Sequence, residues 1–161
     1  SKVLRKIKIN KNDSILDIGC GKGSAMRAML GFPFSRVHGI EISDILGSVA
    51  VNNFNKLKAF RAKIFVSDAV EFREYQNYNF FYFYNPFPDE IMVKVIDNIV
   101  NISRDSKEER IIIYNNPVCH NIIKDTGVFF KLCEFPDEWG NKIFVYFNFK
   151  KEDSRLHELY C

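Results

Sequence analysis

What the chain lacks narrows the possibilities first. No apolar run approaches the length a membrane span needs, and the N-terminus has no apolar stretch ending in a small-residue cleavage site. Neither a spanning helix nor a signal peptide is therefore expected, and the protein reads as cytosolic. Cysteine is sparse: Cys20, Cys119, Cys133 and Cys161 stand too far apart for a zinc site and are too few to staple a domain of this size. Free thiols are the expectation. No Asp/His/His or similar set is spaced to hold a catalytic metal, and no metal is predicted. An excess of one charge is also missing, since the formal net charge is only +3. Lys2, Arg5, Lys6, Lys8 and Lys11 do crowd the start, but such a run reads as a solvated segment before it reads as a nucleic-acid surface. Internal repeats and low-complexity tracts are absent.

What is present suffices for one core. With 161 residues, 47% of them apolar, the chain reads as a single domain over 1–161. Much of its phenylalanine sits in short runs such as Phe80 to Phe83, which look like buried strands rather than a ligand cage. From Ser14 onward, apolar runs of strand length alternate with helical periodicity, the pattern of a parallel sheet covered by helices on both faces. Strands are expected at Ile15–Ile18, Arg36–Ile40, Lys63–Val66, Phe80–Tyr84 and Ile111–Tyr114. Helices are expected from Ser24 to Leu30, after a Ser43 cap with Leu46, Val49, Ala50, Asn53 and Leu57 on one face, after Asp89, and from Pro117 to Gly127. The helix after Asp89 is the clearest, because Met92, Val95, Ile96, Ile99 and Val100 recur at three- and four-residue intervals. Two apolar runs close the pattern, Val128–Phe135 and Ile143–Phe149. Their link is too short for a parallel crossover, so an antiparallel hairpin at the sheet edge is expected, with Lys150–Asp153 as a frayed exit.

The chemistry concentrates where strands end. Gly19, Gly21 and Gly23 follow the first strand at alternate positions, and they let backbone approach a ligand with no Cβ in the way. Asp17, two residues before the first glycine, would repel a pyrophosphate but suits an ammonium group. Glu41 ends the second strand, where a carboxylate can accept from both ribose hydroxyls. Asp68 ends the third, where it can accept from an exocyclic adenine amine. Together they describe a ligand with a ribose, an adenine and a cationic amino-acid end.

The stretch Ile15-Leu16-Asp17-Ile18-Gly19-Cys20-Gly21-Lys22-Gly23 resembles the first motif of the class I S-adenosylmethionine-dependent methyltransferases, and Gly39-Ile40-Glu41 and Ser67-Asp68-Ala69 resemble the next two. The resemblance covers nearly the whole chain. It implies an α/β, Rossmann-like three-layer sandwich whose mostly parallel seven-strand sheet has the order 3-2-1-4-5-7-6 and ends in an antiparallel pair. It also implies S-adenosylmethionine as cofactor, with S-adenosylhomocysteine as product. Asp17, Gly19, Cys20, Gly21 and Gly23 would face the methionine end, Glu41 the ribose, and Asp68 with Ala69 the adenine, with Ile42 also among the cofactor-binding residues. That family often selects its acceptor with an N-terminal cap, which leaves room for a segment upstream of Ser1.

The loop Asn85-Pro86-Phe87-Pro88 after the fourth strand is similar to the Asn-Pro-Pro-aromatic loop of amino-directed N-methyltransferases, except that Phe87 stands at the second proline and Pro88 at the aromatic position. By that likeness Asn85 Oδ1 and the Pro86 carbonyl would accept hydrogens from an acceptor amine while Phe87 stacks on a planar substrate. A nitrogen acceptor is thus favoured, and the low net charge favours a small molecule or protein side chain over nucleic acid. Asn115, Asn116 and His120 follow the fifth strand as further polar candidates, His120 as a base for an O-methyl acceptor. Two other readings share the glycines: a non-catalytic module that keeps the cofactor fold for binding or assembly, and an NAD-dependent oxidoreductase. Asp17, Asp68 and the terminal hairpin weigh against the second.

Overall fold

A computed structural model describes residues 2–148. Five apolar runs pair side by side in parallel: β1 (Ser14–Ile18), β2 (Arg36–Glu41), β3 (Ala62–Val66), β4 (Phe80–Tyr84) and β5 (Ile111–Asn115). β6 (Phe130–Pro136) and β7 (Lys142–Phe147) form the expected antiparallel hairpin, and β7 pairs antiparallel with β5. The sheet order is β3-β2-β1-β4-β5-β7-β6, as the motif resemblance implied. No described helix is long and apolar enough to cross a membrane.

Strand alternation divides the interior into two layers. Leu16 and Ile18, Phe81 and Phe83, and Ile112 and Tyr114 point to one face, against α4 (Asp89–Ser103) and α5 (His120–Lys124). Ile15, Phe80, Ile111 and Ile113 point to the other, which is covered by α1 (Lys2–Lys6), α2 (Ser24–Met29) and α3 (Asp44–Lys56). α4 buries Met92, Val95, Ile96, Ile99 and Val100, the five positions its periodicity marks. Asp89 and Glu90 occupy its first turn, where the helix dipole favours negative charge.

Four expectations need correction. α3 is capped by Ser43, whose hydroxyl accepts from Leu46 N at 3.3 Å, yet it buries Gly47, Ala50 and Phe54, while Val49, Asn53 and Leu57 are exposed. The cause is close packing: a Cβ on Gly47 would stand 2.7 Å from Val66 Cγ2, so the glycine lets the helix lie down on β3. The basic N-terminal segment is only half solvated, because Val3, Leu4 and Ile7 are buried between its lysines. The helix opened at Pro117 shortens to α5, preceded by a turn at Pro117–Cys119. Cys20 and Cys119 are buried free thiols as expected, whereas Cys133 is disulfide-bonded. The expected exit at Lys150–Asp153, and Cys161, lie outside the described residues.

Candidate functional site

The C-terminal end of β1 turns sharply because β2 holds it. Gly19 N and Cys20 N both donate to Ile40 O at 2.9 Å, and Gly19, Gly21 and Gly23 take φ of 80°, 53° and 83°, the left-handed region that glycine enters without cost. β2 contributes Gly39, where a Cβ would stand 2.6 Å from both Cys20 Sγ and Met26 Sδ. A side chain there would push the turn off the sheet. On the other side Pro86 closes down: a Cβ on Gly19 would meet Pro86 Cβ at 2.6 Å. The turn is therefore clamped between β2 and the loop after β4, while around Gly21 there is open space on the Cβ side.

Beside this turn lies a cavity of about 490 Å³, walled by α1, α2, the ends of β1, β4 and β5, and the tip of the β6–β7 hairpin. Asp17, Gly19, Cys20 and Gly21 line it on the turn side with Tyr82 next to Asp17, and Tyr84, Asn115 and Trp139 line it beyond. Strand register explains the grouping. Asp17 pairs with Tyr82 and Tyr82 with Ile113, so all three point to the α1–α2 face. Tyr84, Asn115 and Ile143 form the next row on that face.

Asp17 is only 2% exposed, and its Oδ2 has no hydrogen-bond partner. Burial, with the Glu41 carboxylate adding to it, pushes the Asp17 pKa up to about 7. A carboxyl held in that state gains most from a cationic partner. Asn115, 5% exposed, likewise leaves Oδ1 without a partner, while its Nδ2 makes a long 3.5 Å approach to Tyr82 Oη. A buried acceptor left unpaired costs roughly 1–3 kcal/mol, so two of them in one cavity mark positions made for donors on a ligand.

The other predicted residues divide around this cavity. Glu41 is buried at the rim of the turn, with Oε2 accepting from Gly21 N at 2.8 Å and Oε1 from Ser43 N at 2.9 Å. Each oxygen retains a second lone pair. Ile42 stands beside it, 69% exposed and facing no core. Asp68 is exposed, its Oδ1 accepting from Val70 N at 2.8 Å, and Ala69 is buried next to it. These four do not line the cavity; they border the opposite, β2–β3 side of the turn.

The residues of the loop after β4 do not line the cavity either. Tyr84 ends β4 on the cavity face, so Asn85, with φ of 40°, turns the other way, and Tyr114 Oη makes a long 3.4 Å contact with its Oδ1. Pro86 covers Gly19, and Phe87 packs into the apolar layer beneath α4. Phe87 is half-buried there and does not line the cavity. His120 sits 2.6 Å from Tyr146 Oη and edge-on to Phe144, away from the cavity, and burial with Lys131 and Lys124 nearby lowers its pKa. Asn116 takes a φ of 51° in the turn after β5. Sequence inspection passed over Tyr82, Tyr84 and Trp139 as a wall. The available signal was parity: each of Asp17, Tyr82 and Asn115 puts a polar group on one face of an otherwise apolar strand.

No family model matches the chain. It is 26% identical over 129 residues to the probable cobalt-precorrin-6B C(15)-methyltransferase (decarboxylating) of Methanococcus maripaludis, an alignment that covers 79% of this chain. The chain spans 65% of the length of that curated relative. Among solved structures, a SAM-dependent methyltransferase from Aquifex aeolicus superposes with a TM-score of 0.73 at 13% identity, covering 92% of this chain and 88% of that one. The fold is that of the class I methyltransferases. An RNA methyltransferase from Salinibacter ruber, solved with S-adenosyl-L-homocysteine, matches at a TM-score of 0.68 and 17% identity over 91% of this chain and 88% of its own. Within this methyltransferase fold, the glycine turn after β1 and the ends of β2 and β3 occupy neighbouring positions along the C-terminal edge of the sheet.

Proposed function

We propose that the protein is an S-adenosylmethionine-dependent methyltransferase whose acceptor presents a nitrogen. The observation that carries this is Asp17 Oδ2, a buried and unpartnered carboxylate oxygen beside three glycines of positive φ. Phosphate has no place against it, whereas the ammonium of an amino-acid moiety supplies the missing charge and donor. Gly19, Cys20, Gly21 and Gly23 then offer backbone at close approach, Glu41 takes the ribose hydroxyls on its remaining lone pairs, and Ile42, Asp68 and Ala69 border the adenine. Pro86 covers Gly19 at the rim of this donor site, Asn85 precedes it at a φ of 40°, and Phe87, half-buried, packs their loop against the core.

The donor supplies an electrophilic methyl on a sulfonium. Held by Asp17, the Gly19–Gly23 turn and Glu41, it would present that methyl to the lone pair of an acceptor nitrogen. The protein's share is alignment and exclusion of competing nucleophiles, for which a walled cavity beside the donor site suffices. A small molecule or a protein side chain fits the cavity better than nucleic acid, because the lining carries three carboxylates, Asp17, Asp137 and Glu138, against one ammonium, Lys2. Calorimetry with S-adenosylhomocysteine and with NAD is the deciding experiment. Micromolar binding of the former with no heat from the latter is expected, and tight NAD binding would overturn the assignment. If S-adenosylhomocysteine binds but no acceptor of any class is methylated, the chain is a binding module that keeps the fold.

A further inference from the structure

Resting on that assignment of the donor site, the structure points to the acceptor as a small planar amine without anionic groups: we propose that its ring lies against Tyr84 and Trp139 and that its N–H donates to Asn115 Oδ1. Three observations converge on this. Asn115 is the last residue of β5, pinned between Tyr84 of β4 and Ile143 of β7, so its amide cannot swing out to water. Asn115 lines the cavity, and its buried Oδ1 just behind that wall has no partner, which asks for a donor and rejects an anion. From the register, two strand spacings and two residues separate it from Asp17, about 12 Å between Cα atoms. One ligand group can therefore sit at each end of the cavity.

The wall is preorganised. Tyr84 and Trp139 meet edge to face, with centroids 6.5 Å apart and planes at 89°, and Trp139 remains 74% exposed at the mouth. Trp139 is held there by the hairpin tip: Asp137 Oδ1 accepts from Trp139 N at 2.8 Å and Asn141 N at 2.7 Å, and Asp137 Oδ2 accepts from Asn141 Nδ2 at 3.0 Å. An exposed indole set edge-on to a second ring, on a backbone tied by Asp137, offers a flat ligand a stacking surface. With Asp17 taken up by the donor's ammonium, Asp137 and Glu138 at the same tip still outnumber Lys2 and give the cavity a negative balance that favours a neutral or cationic occupant. A polycarboxylate or polyphosphate acceptor meets the wrong sign.

Trp139 is the sole tryptophan in the sequence, so it reports on its own site. The test titrates the protein, saturated with S-adenosylhomocysteine, with two bicyclic probes of matched shape, 4-aminoquinoline and quinoline-4-carboxylate, and follows Trp139 fluorescence. The amine is expected to quench saturably, at least tenfold tighter than the carboxylate. Asn115→Leu should weaken the amine about tenfold and leave the calorimetric affinity for S-adenosylhomocysteine unchanged. Asn115→Asp, which keeps an acceptor at the same place, should bind the amine at least as well as the parent, and it carries the test if the leucine variant fails to fold. Equal or tighter binding of the carboxylate, no saturable quenching by either probe, or an unaltered amine affinity in Asn115→Leu would overturn the inference while the donor assignment stands. Absence of S-adenosylhomocysteine binding by calorimetry would overturn both.

Discussion

Replacing Asp17 by asparagine separates charge from shape at the centre of the proposed donor site. In the fold, burial first and the Glu41 carboxylate second raise the Asp17 pKa from 3.8 to about 7. The folded protein therefore binds more protons than the unfolded chain between roughly pH 4 and pH 7, and stability falls as pH rises through that window. Above pH 7 the loss is complete and amounts to about 4 kcal/mol on the order-of-magnitude scale of 1.36 kcal/mol per pKa unit. An amide avoids it. Without ligand, Asp17→Asn is thus expected to unfold at higher urea than the parent at pH 8, with the gap narrowing as the pH is lowered. Ligand binding should move the opposite way. At pH 8 the ionised Asp17 pairs with the ligand ammonium, whereas at pH 6 it must first lose a proton, which weakens affinity by about tenfold. Isothermal calorimetry with S-adenosylhomocysteine at pH 6, 7 and 8 reads this directly. The parent should tighten across the series and Asp17→Asn should be weak and flat. A flat parent profile, or an asparagine variant that binds as tightly as the parent at pH 8, would refute the pairing of Asp17 with a cation.

The glycines give a graded set. Gly19→Ala combines a φ of 80° with a Cβ 2.6 Å from Pro86, so it should lose stability and S-adenosylhomocysteine binding together; Gly21→Ala, with φ of 53° and open space, should cost only about 1–2 kcal/mol by urea titration. Gly39→Val would drive a side chain into Cys20 and Met26, and a loss of about 1–3 kcal/mol with weakened ligand binding is expected, measured by thermal melts with and without ligand. Ile96→Ala empties a fully buried site beneath α4 and should cost about 2–5 kcal/mol in urea without altering the pH profile of ligand affinity. His120→Ala, on a side chain turned toward Tyr146, should leave S-adenosylhomocysteine affinity within twofold of the parent by calorimetry.

The fold was legible because its signals are local. Strand-length apolar runs, the Ser43 cap, the three-four periodicity of α4 and a hairpin link too short for a crossover each act within a few residues, and each appears where expected. The failures share one cause, namely dependence on what packs from elsewhere. α3 was oriented by its large apolar residues, yet Gly47 decides how close it approaches β3. The lysine-rich start hides Val3, Leu4 and Ile7, whose burial requires a groove formed by later segments. Where the Asn85–Pro88 loop lies was not legible either: Tyr84 ends β4 on the cavity face, so Asn85 turns toward Tyr114 and Phe87 packs half-buried against the layer beneath α4.

By itself the sequence determined the order of the elements and the character of the donor turn, since both rest on short-range periodicity, glycine at left-handed positions and one acidic residue two places before them. Only the tertiary structure decided that Asp17 is buried without a partner, that Asn115 shares its cavity from two strands away, and that Tyr84 and Trp139, 55 positions apart (139 minus 84), form one wall. Those facts depend on register and on desolvation, which arise when distant strands align and water leaves between them. No stretch of sequence states either one alone.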